Sequence, residues 1–448
     1  METHQHLEAL YPADSRFAEI EQLLALIKDG KSAQLIGMPG VGRGNLCKFL
    51  VYNHNIRVKH LGDAQTQFHF VFINFAEVKN RPLGDVFKFI FLELVSSLHE
   101  RHVEDLFEKT DALFKKSLSY KDDLVLFQGL KDAIDFLVHE KNLHIIFLFE
   151  RLEQYIPILT DDFFVHLRSL RERAKYKFSV VFSVTRPLED SIEPKVLADF
   201  YEFFAGHTVY LSLTDSHGIK FRINYLQQLA GKKIPQKQLD DLLSITGGHG
   251  KLMRLGAEAL LVTEKMPENQ EALEAFLLSQ KTIQGALFEL KSFLTPSELH
   301  VLSQIANGQN PTEQSVFLQN IGLLTSANVF TIPLFAKNLA AQHSDKNTAH
   351  ITYDSTTDTI RRDDMVISEN LTAAEFRLLK YLLEHQEAIL DRETIISSVW
   401  KDTATTAGVT DQALDQLIFR LRKKIEEDPN NPKYIQTVKG RGIKFVSA

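Results

Sequence analysis

Cysteine is almost absent from this 448-residue chain. Cys47 stands alone, so disulfides cannot support the fold and a multi-thiolate metal site is excluded. No apolar run approaches the roughly 20 residues that a membrane-spanning helix needs. The opening stretch, METHQHLEALYPADSRFAEI, lacks the basic start and apolar core of a secretory signal. A cytoplasmic protein without a membrane partner is the expectation. No serine–histidine–aspartate nucleophile signature is found. The histidine pairs His99/His102 and His139/His144 have no cysteine nearby and no same-face carboxylate to act as third ligand, so no metal site is expected.

The length exceeds what one hydrophobic core supports, which implies two to four domains. At 44% hydrophobic and 24% charged residues, the composition is that of an ordinary folded protein rather than a disordered one. A net charge of −7 argues against wholesale coating of nucleic acid, but the average hides an asymmetry. Residues 420–448 hold eight lysines and arginines against three acids, a local balance of +5. A basic patch confined to one end suits a DNA-binding module on an acidic protein. A solvated, salt-bridged surface would give the same count.

Short apolar runs alternate with amphipathic ones through the first 215 residues. Candidate strands are 33–36 (AQLI), 68–75 (FHFVFINF), 144–149 (HIIFLF), 178–184 (FSVVFSV) and 208–213 (TVYLSL). Their β-branched and aromatic content, without sustained polar alternation, suits strands buried on both faces of a parallel sheet. Residues 83–102 and 122–139 carry apolar side chains at helical spacing, which implies βαβ crossovers and a three-layer α/β domain. Beyond residue 213 the strand signal fades, and 219–230, 236–244 and 251–263 read as helices. The expected organisation is an α/β core at 1–215, a helical lid at 216–280, a compact unit at 281–340, a polar linker at 341–350 (AQHSDKNTAH) and a last unit at 351–448.

The last unit carries the most specific signal. Thr372 followed by Glu375 forms a capping box before the apolar positions Phe376, Leu378, Leu379, Leu382 and Leu383. Asp391 can cap a second helix, and Thr410 or Asp411 a third. On the third, Leu414, Leu417, Ile418, Leu421 and Ile425 form one apolar stripe. Its other face holds Gln412, Asp415, Gln416, Phe419, Arg420 and Lys423. The tail reads as a hairpin, YIQTV and IKFV around a Lys-Gly-Arg-Gly turn. Three helices and a basic-tipped hairpin make a winged helix, with the third helix suited to the major groove and the turn to flanking phosphate.

In LTAAEFRLLKYLLEH (371–385), the run from Arg392 to Trp400, RLRKKI (420–425) and YIQTVKGRGIKF (434–445), residues 351–448 resemble the OmpR/PhoB-type winged-helix DNA-binding domain of bacterial response regulators. The resemblance implies that the 410–424 helix reads duplex DNA. It implies contacts from Gln412, Gln416, Phe419, Arg420 and Lys423, with Lys439 and Arg441 on the wing. The family usually has arginine, threonine and histidine at what are here Gln412, Ala413 and Leu417. Fewer cations imply weaker phosphate binding and reliance on dimerisation. Phe419 suits either a thymine methyl or a protein partner.

The other signal is GMPGVGRGN, residues 37–45. A buried strand, a turn with inward-facing N–H groups and a helix N-terminus are the parts of a phosphate cradle, and residues 33–50 supply all three. Arg43 stands where a phosphate lysine belongs, and Gly44 offers no hydroxyl to magnesium. The run from His144 ends in Phe149-Glu150, so Glu150 is the catalytic candidate if the site hydrolyses anything, with Phe149 in place of a magnesium aspartate. Residues 14–275 resemble the AAA+/STAND class of P-loop ATPases, nearest its origin-recognition and archaeal-ATPase branches, which also open with a helix like DSRFAEI (14–20). The resemblance implies ATP or ADP held by Gly37, Pro39, Gly40, Gly42, Arg43, Gly44, Asn45, Arg186 and Arg254, with magnesium doubtful. It also implies a helical lid and a second winged helix at 281–340.

The leading expectation is a transcription regulator. In it a degenerate ATPase-like module senses a signal, oligomerises or meets a protein partner, while the C-terminal winged helix binds double-stranded DNA. The alternatives are an ATP-hydrolysing switch and a winged-helix interaction scaffold.

Overall fold

The computed structural model describes every residue except 1–5, 102, 121, 310, 312–315, 345–350, 356, 363–364, 387, 401–410, 427–428, 430–431, 439–440 and 447–448, together with the side chains of 341–344 and 412. The chain forms two compact units. One comprises Met1–Leu294 with Pro311–Ala336, the other Thr295–Asn310 with Lys337–Ala448.

The first unit is built on a five-stranded parallel sheet. Its strands are β1 (Ala33–Ile36), β2 (Phe68–Asn74), β3 (His144–Glu150), β4 (Phe178–Val184) and β5 (Thr208–Tyr210), in the order β2-β3-β4-β1-β5. Every residue of β1 and β4 is buried, which requires helices on both faces of the sheet. One face holds a set of ring contacts in which Phe149 meets Phe75, Phe163 and Phe182.

Element boundaries depart from the expectation in two informative places. The last strand stops at Tyr210. Leu211 still donates to Ile36 O at 2.7 Å, but Ser212 then turns to accept from Arg16. The helix expected over 122–139 is α-helical from Asp123 to Asp135 and closes with a π turn, Phe136–Glu140.

Helices Ser216–Ala230, Gln236–Thr246, Gly250–Val262, Gln270–Ser279 and Lys281–Ser292 follow the sheet. Leu252, Leu255, Ala257 and Leu260 bury the inner face of the third of these. Within 281–340, the only strand pairing among the described residues is a single antiparallel bridge, Leu324 to Phe330.

The second unit holds the helix Pro296–Ala306 and, among the described residues from 351 to 446, two small antiparallel sheets around three helices. Strands β6 (Ile351–Asp354), β7 (Thr359–Arg362) and β8 (Met365–Val366) pair in sequence, and β10 (Ile435–Val438) pairs with β11 (Gly442–Phe445), which also pairs with β9 (Ile389–Leu390). The helices are Ala373–Glu384, Arg392–Val399 and Asp411–Ile425. This is a winged helix. Both halves of the Thr372/Glu375 capping box are made, and Asp391 accepts from Thr394 N at 2.8 Å. The expected stripe Leu414, Leu417, Ile418, Leu421 and Ile425 is buried in one core with Leu378, Leu379 and Leu382. Trp400 is partly buried and packs against that core.

Candidate functional site

Strand β1 delivers the chain into the glycine loop, where Gly40 and Gly42 take φ of +86° and +99°. Gly40 has a second reason to lack a side chain, because a Cβ there would lie 2.6 Å from Cε1 of His249. Three successive loop carbonyls are held from outside the loop. Pro39 O accepts from His249 Nε2 at 2.8 Å, Gly40 O from Lys251 N at 2.9 Å and Val41 O from Arg16 Nη2 at 2.5 Å. With its carbonyls anchored outward, the loop leads directly into the helix Arg43–Tyr52, whose Gly42 N-cap provides no side-chain acceptor. The first N–H groups of that helix have no partner within it, and its positive end favours an anion.

Arg43 is buried. Its Nη2 donates to Glu153 Oε1 at 3.3 Å, while Nη1 and Glu153 Oε2 are buried without hydrogen-bond partners. Strand alternation decides which acid faces this loop. Phe149 points into the ring cluster, so Glu150 projects from the other side of β3. Its Oε1 sits 3.2 Å from where a Gly44 Cβ would stand, and its Oε2 accepts from Ser183 Oγ on the neighbouring strand. Burial pushes the Glu150 carboxyl above the ordinary range, against the opposing pull of Arg43 and the Ser183 hydrogen bond. Burial, aided by the neighbouring Glu150, raises the Cys47 thiol as well.

Arg43, Gly44, Glu150 and Glu153 line a cleft of about 750 Å³. Of the residues expected to bind a cofactor, Pro39, Gly40, Gly42, Arg43, Gly44 and Asn45 meet there, with Glu150 beside them. Arg254 reaches the rim and pairs with Glu258 of its own helix, Nη1 to Oε1 at 2.8 Å. Gly37 lies behind the loop, where a Cβ would approach Leu211 Cβ and Val41 Cγ2 to 3.0 Å each. Arg186 is not brought to the cleft. Its guanidinium donates to Phe293 O at 3.0 Å and lies 4.6 Å from the centre of the Phe317 ring.

Sequence reasoning did not assign Arg16, His249 and Lys251 as loop anchors, nor Lys48 and Arg222 as cations of the cleft wall. The Gly-Gly-His-Gly break and the DSRFAEI opening were visible signals for the first three. Lys48 and Arg222 sit on helices with no local pattern to mark them.

On the helix Asp411–Ile425, Gln416, Phe419, Arg420 and Lys423 are exposed opposite the buried stripe. Lys423 Nζ lies 4.7 Å from the Phe419 ring centre. The remaining cations of the segment are engaged in structure. Arg422 donates to Ile435 O at 2.7 Å and Thr437 Oγ1 at 2.9 Å, and Lys424 donates to Glu375 Oε2 at 2.6 Å. Glu426, one of the acids offsetting the basic tail, accepts from the backbone N–H groups of Lys433, Tyr434 and Ile435 and so fixes the start of the hairpin. Arg441 is exposed at the hairpin turn. Lys439 and the Gln412 side chain lie outside the described residues.

Residues 368–445 match the family model of transcriptional regulatory proteins, C terminal. The regulatory protein VanRc of Enterococcus gallinarum is 34% identical over 105 residues, which is 21% of this chain and 44% of that protein. The chain thus spans less than half the length of this curated relative. The Klebsiella pneumoniae RstA DNA-binding domain, solved in complex with the RstA box, is 26% identical and matches over 22% of this chain and 94% of its own, with a TM-score of 0.19. The Walker-type ATPase paby2304 of Pyrococcus abyssi is 15% identical over 81% of this chain and 96% of its own, with a TM-score of 0.40. The chain thus carries a winged helix whose residues 368–445 match a transcriptional-regulator model, together with a unit built on a five-stranded parallel α/β sheet.

Proposed function

We propose that this protein is a cytoplasmic DNA-binding transcription regulator. The helix Asp411–Ile425 enters the major groove of duplex DNA, and the hairpin turn at Arg441 reaches flanking backbone. The observation carrying this reading is the exposed set Gln416, Phe419, Arg420 and Lys423, on a helix whose opposite face is wholly committed to the core. Amide and cationic side chains at that spacing suit base edges and phosphates. The family match over 368–445 supports the same assignment.

The glycine-loop module is the regulatory part. It takes the phosphates of ATP or ADP in its cleft, and the bound state sets self-association or contact with a protein partner. Hydrolysis is not its role, because the hydroxyl and aspartate that would neutralise the leaving phosphates are replaced by Gly44 and Phe149. Phe419, 45% exposed, favours a second reading in which the same helix docks on a protein. Selection from a random duplex library with the full chain tests the proposal. A recovered sequence motif supports it, and recovery of no enriched duplex by folded protein removes it.

A further inference from the structure

The residues around Gly44 do not fit a magnesium ion. A cation in a phosphate loop draws its protein ligands from a hydroxyl at the start of the helix and a carboxylate on the neighbouring strand. Here position 44 has no side chain, and the space beside it is taken by Glu150, whose Oε1 lies 3.2 Å from the missing Cβ. The other oxygen, Oε2, already accepts from Ser183 Oγ. Gly44 and Glu150 are complementary in size, the acid filling volume that a serine or threonine would claim. Among the described residues, no group of three His, Cys, Asp or Glu side chains could hold a metal ion.

The same loop offers an alternative source of positive charge. Arg43 is nine-tenths buried at the cleft, one guanidinium nitrogen is spent on Glu153, and Nη1 has no hydrogen-bond partner. A buried cationic donor left unpaired is costly, and an anion is the partner that relieves it. Beside it is the ten-residue helix Arg43–Tyr52, whose first N–H groups lack a side-chain cap. A guanidinium supplies a permanent charge with fixed donor geometry, which substitutes for a cation in neutralising phosphate.

We propose that the cleft binds the phosphates of a nucleoside di- or triphosphate without a divalent cation, with Arg43 Nη1 and the helix N-terminal N–H groups as the anion-holding set. This rests on the reading of the cleft as a nucleotide site and specifies how that site works.

Calorimetric titration of the full chain with ADP, in magnesium and in EDTA, separates the two. Affinities equal to within about twofold in the two buffers are expected. Arg43→Gln should weaken binding about tenfold or more in both, since a charge-assisted donor is lost. Arg43→Gln retains a polar side chain toward Glu153, and a melting curve confirms that it is folded. Binding that needs magnesium, or an Arg43→Gln variant that binds as tightly as the parent, overturns metal-free capture and leaves the nucleotide reading standing. No binding in either buffer by folded protein overturns both.

Discussion

His249 Nε2 donates to Pro39 O at 2.8 Å while its Nδ1 accepts from Leu252 N at 3.3 Å, so one buried imidazole both anchors the glycine loop and caps the helix Gly250–Val262. The two bonds fix the tautomer: the proton sits on Nε2 because Nδ1 is the acceptor. Burial lowers its pKa from 6.5 to about 4. The folded value lies below the unfolded one, so the unfolded chain takes up the extra proton between them. Stability is therefore complete above about 6.5 and is lost as pH falls toward 4, by an amount on the order of 3 kcal/mol. His69, buried with Ser97 Oγ at 2.8 Å and pushed down to about 3, adds to the same acid loss. Chemical denaturation of the parent at pH 7.5 and 5.0 checks the sign. His249→Asn, which keeps a capping side chain, should show a smaller difference between the two pH values.

Gly442 takes φ of +134°, and a Cβ there would lie 2.0 Å from Leu390 O on the neighbouring strand β9. Gly442→Ala should destabilise the second unit by roughly 1–3 kcal/mol through strain and a displaced hairpin. A melting curve of the full chain measures this, and DNA affinity should fall with it because the wing carrying Arg441 moves.

Glu426 accepts three backbone N–H groups at 2.7 to 3.0 Å. Removing that acceptor strands buried donors, and Glu426→Ala should cost about 2–4 kcal/mol. Glu426→Gln, which keeps a side-chain acceptor without the charge, should recover part of that cost, and melting curves of the two variants separate loss of acceptor from loss of charge.

Arg392 joins the second and third helices of the winged helix by pairing with Asp411 and Asp415. Neutralising Asp415 on the exposed face lets that face approach phosphate. Arg392→Ala should weaken DNA binding several-fold, about 1 kcal/mol, and Arg392→Lys should restore only part of it because the paired geometry is lost. Fluorescence anisotropy with a selected duplex gives both values.

Much of this architecture was legible in the chain. Strands 33–36 and 178–184 were readable to the residue because their apolar runs end abruptly at Gly37 and Thr185. The capping box at Thr372/Glu375 and the stripe from Leu414 to Ile425 identified the winged helix because both are local patterns. The anchoring of the glycine loop was not legible. It depends on Arg16, His249 and Lys251, which lie far apart in sequence and act on backbone carbonyls that have no residue signature. Which acid faces the loop was also hidden, because Phe149 and Glu150 are adjacent and only strand alternation assigns one to each side. The turn of Arg186 toward Phe293 O is a tertiary contact that a strand-end position could not reveal.

Salt dependence of binding to the selected duplex tests the central claim most directly, since phosphate neutralisation and base reading leave different marks. With the full chain, log affinity should fall linearly with log salt, and Arg441→Ala should reduce that slope by about one. Arg420→Ala should cost about 1–3 kcal/mol. A parent affinity indifferent to salt, or unchanged by both substitutions, contradicts the placement of this helix and hairpin on DNA.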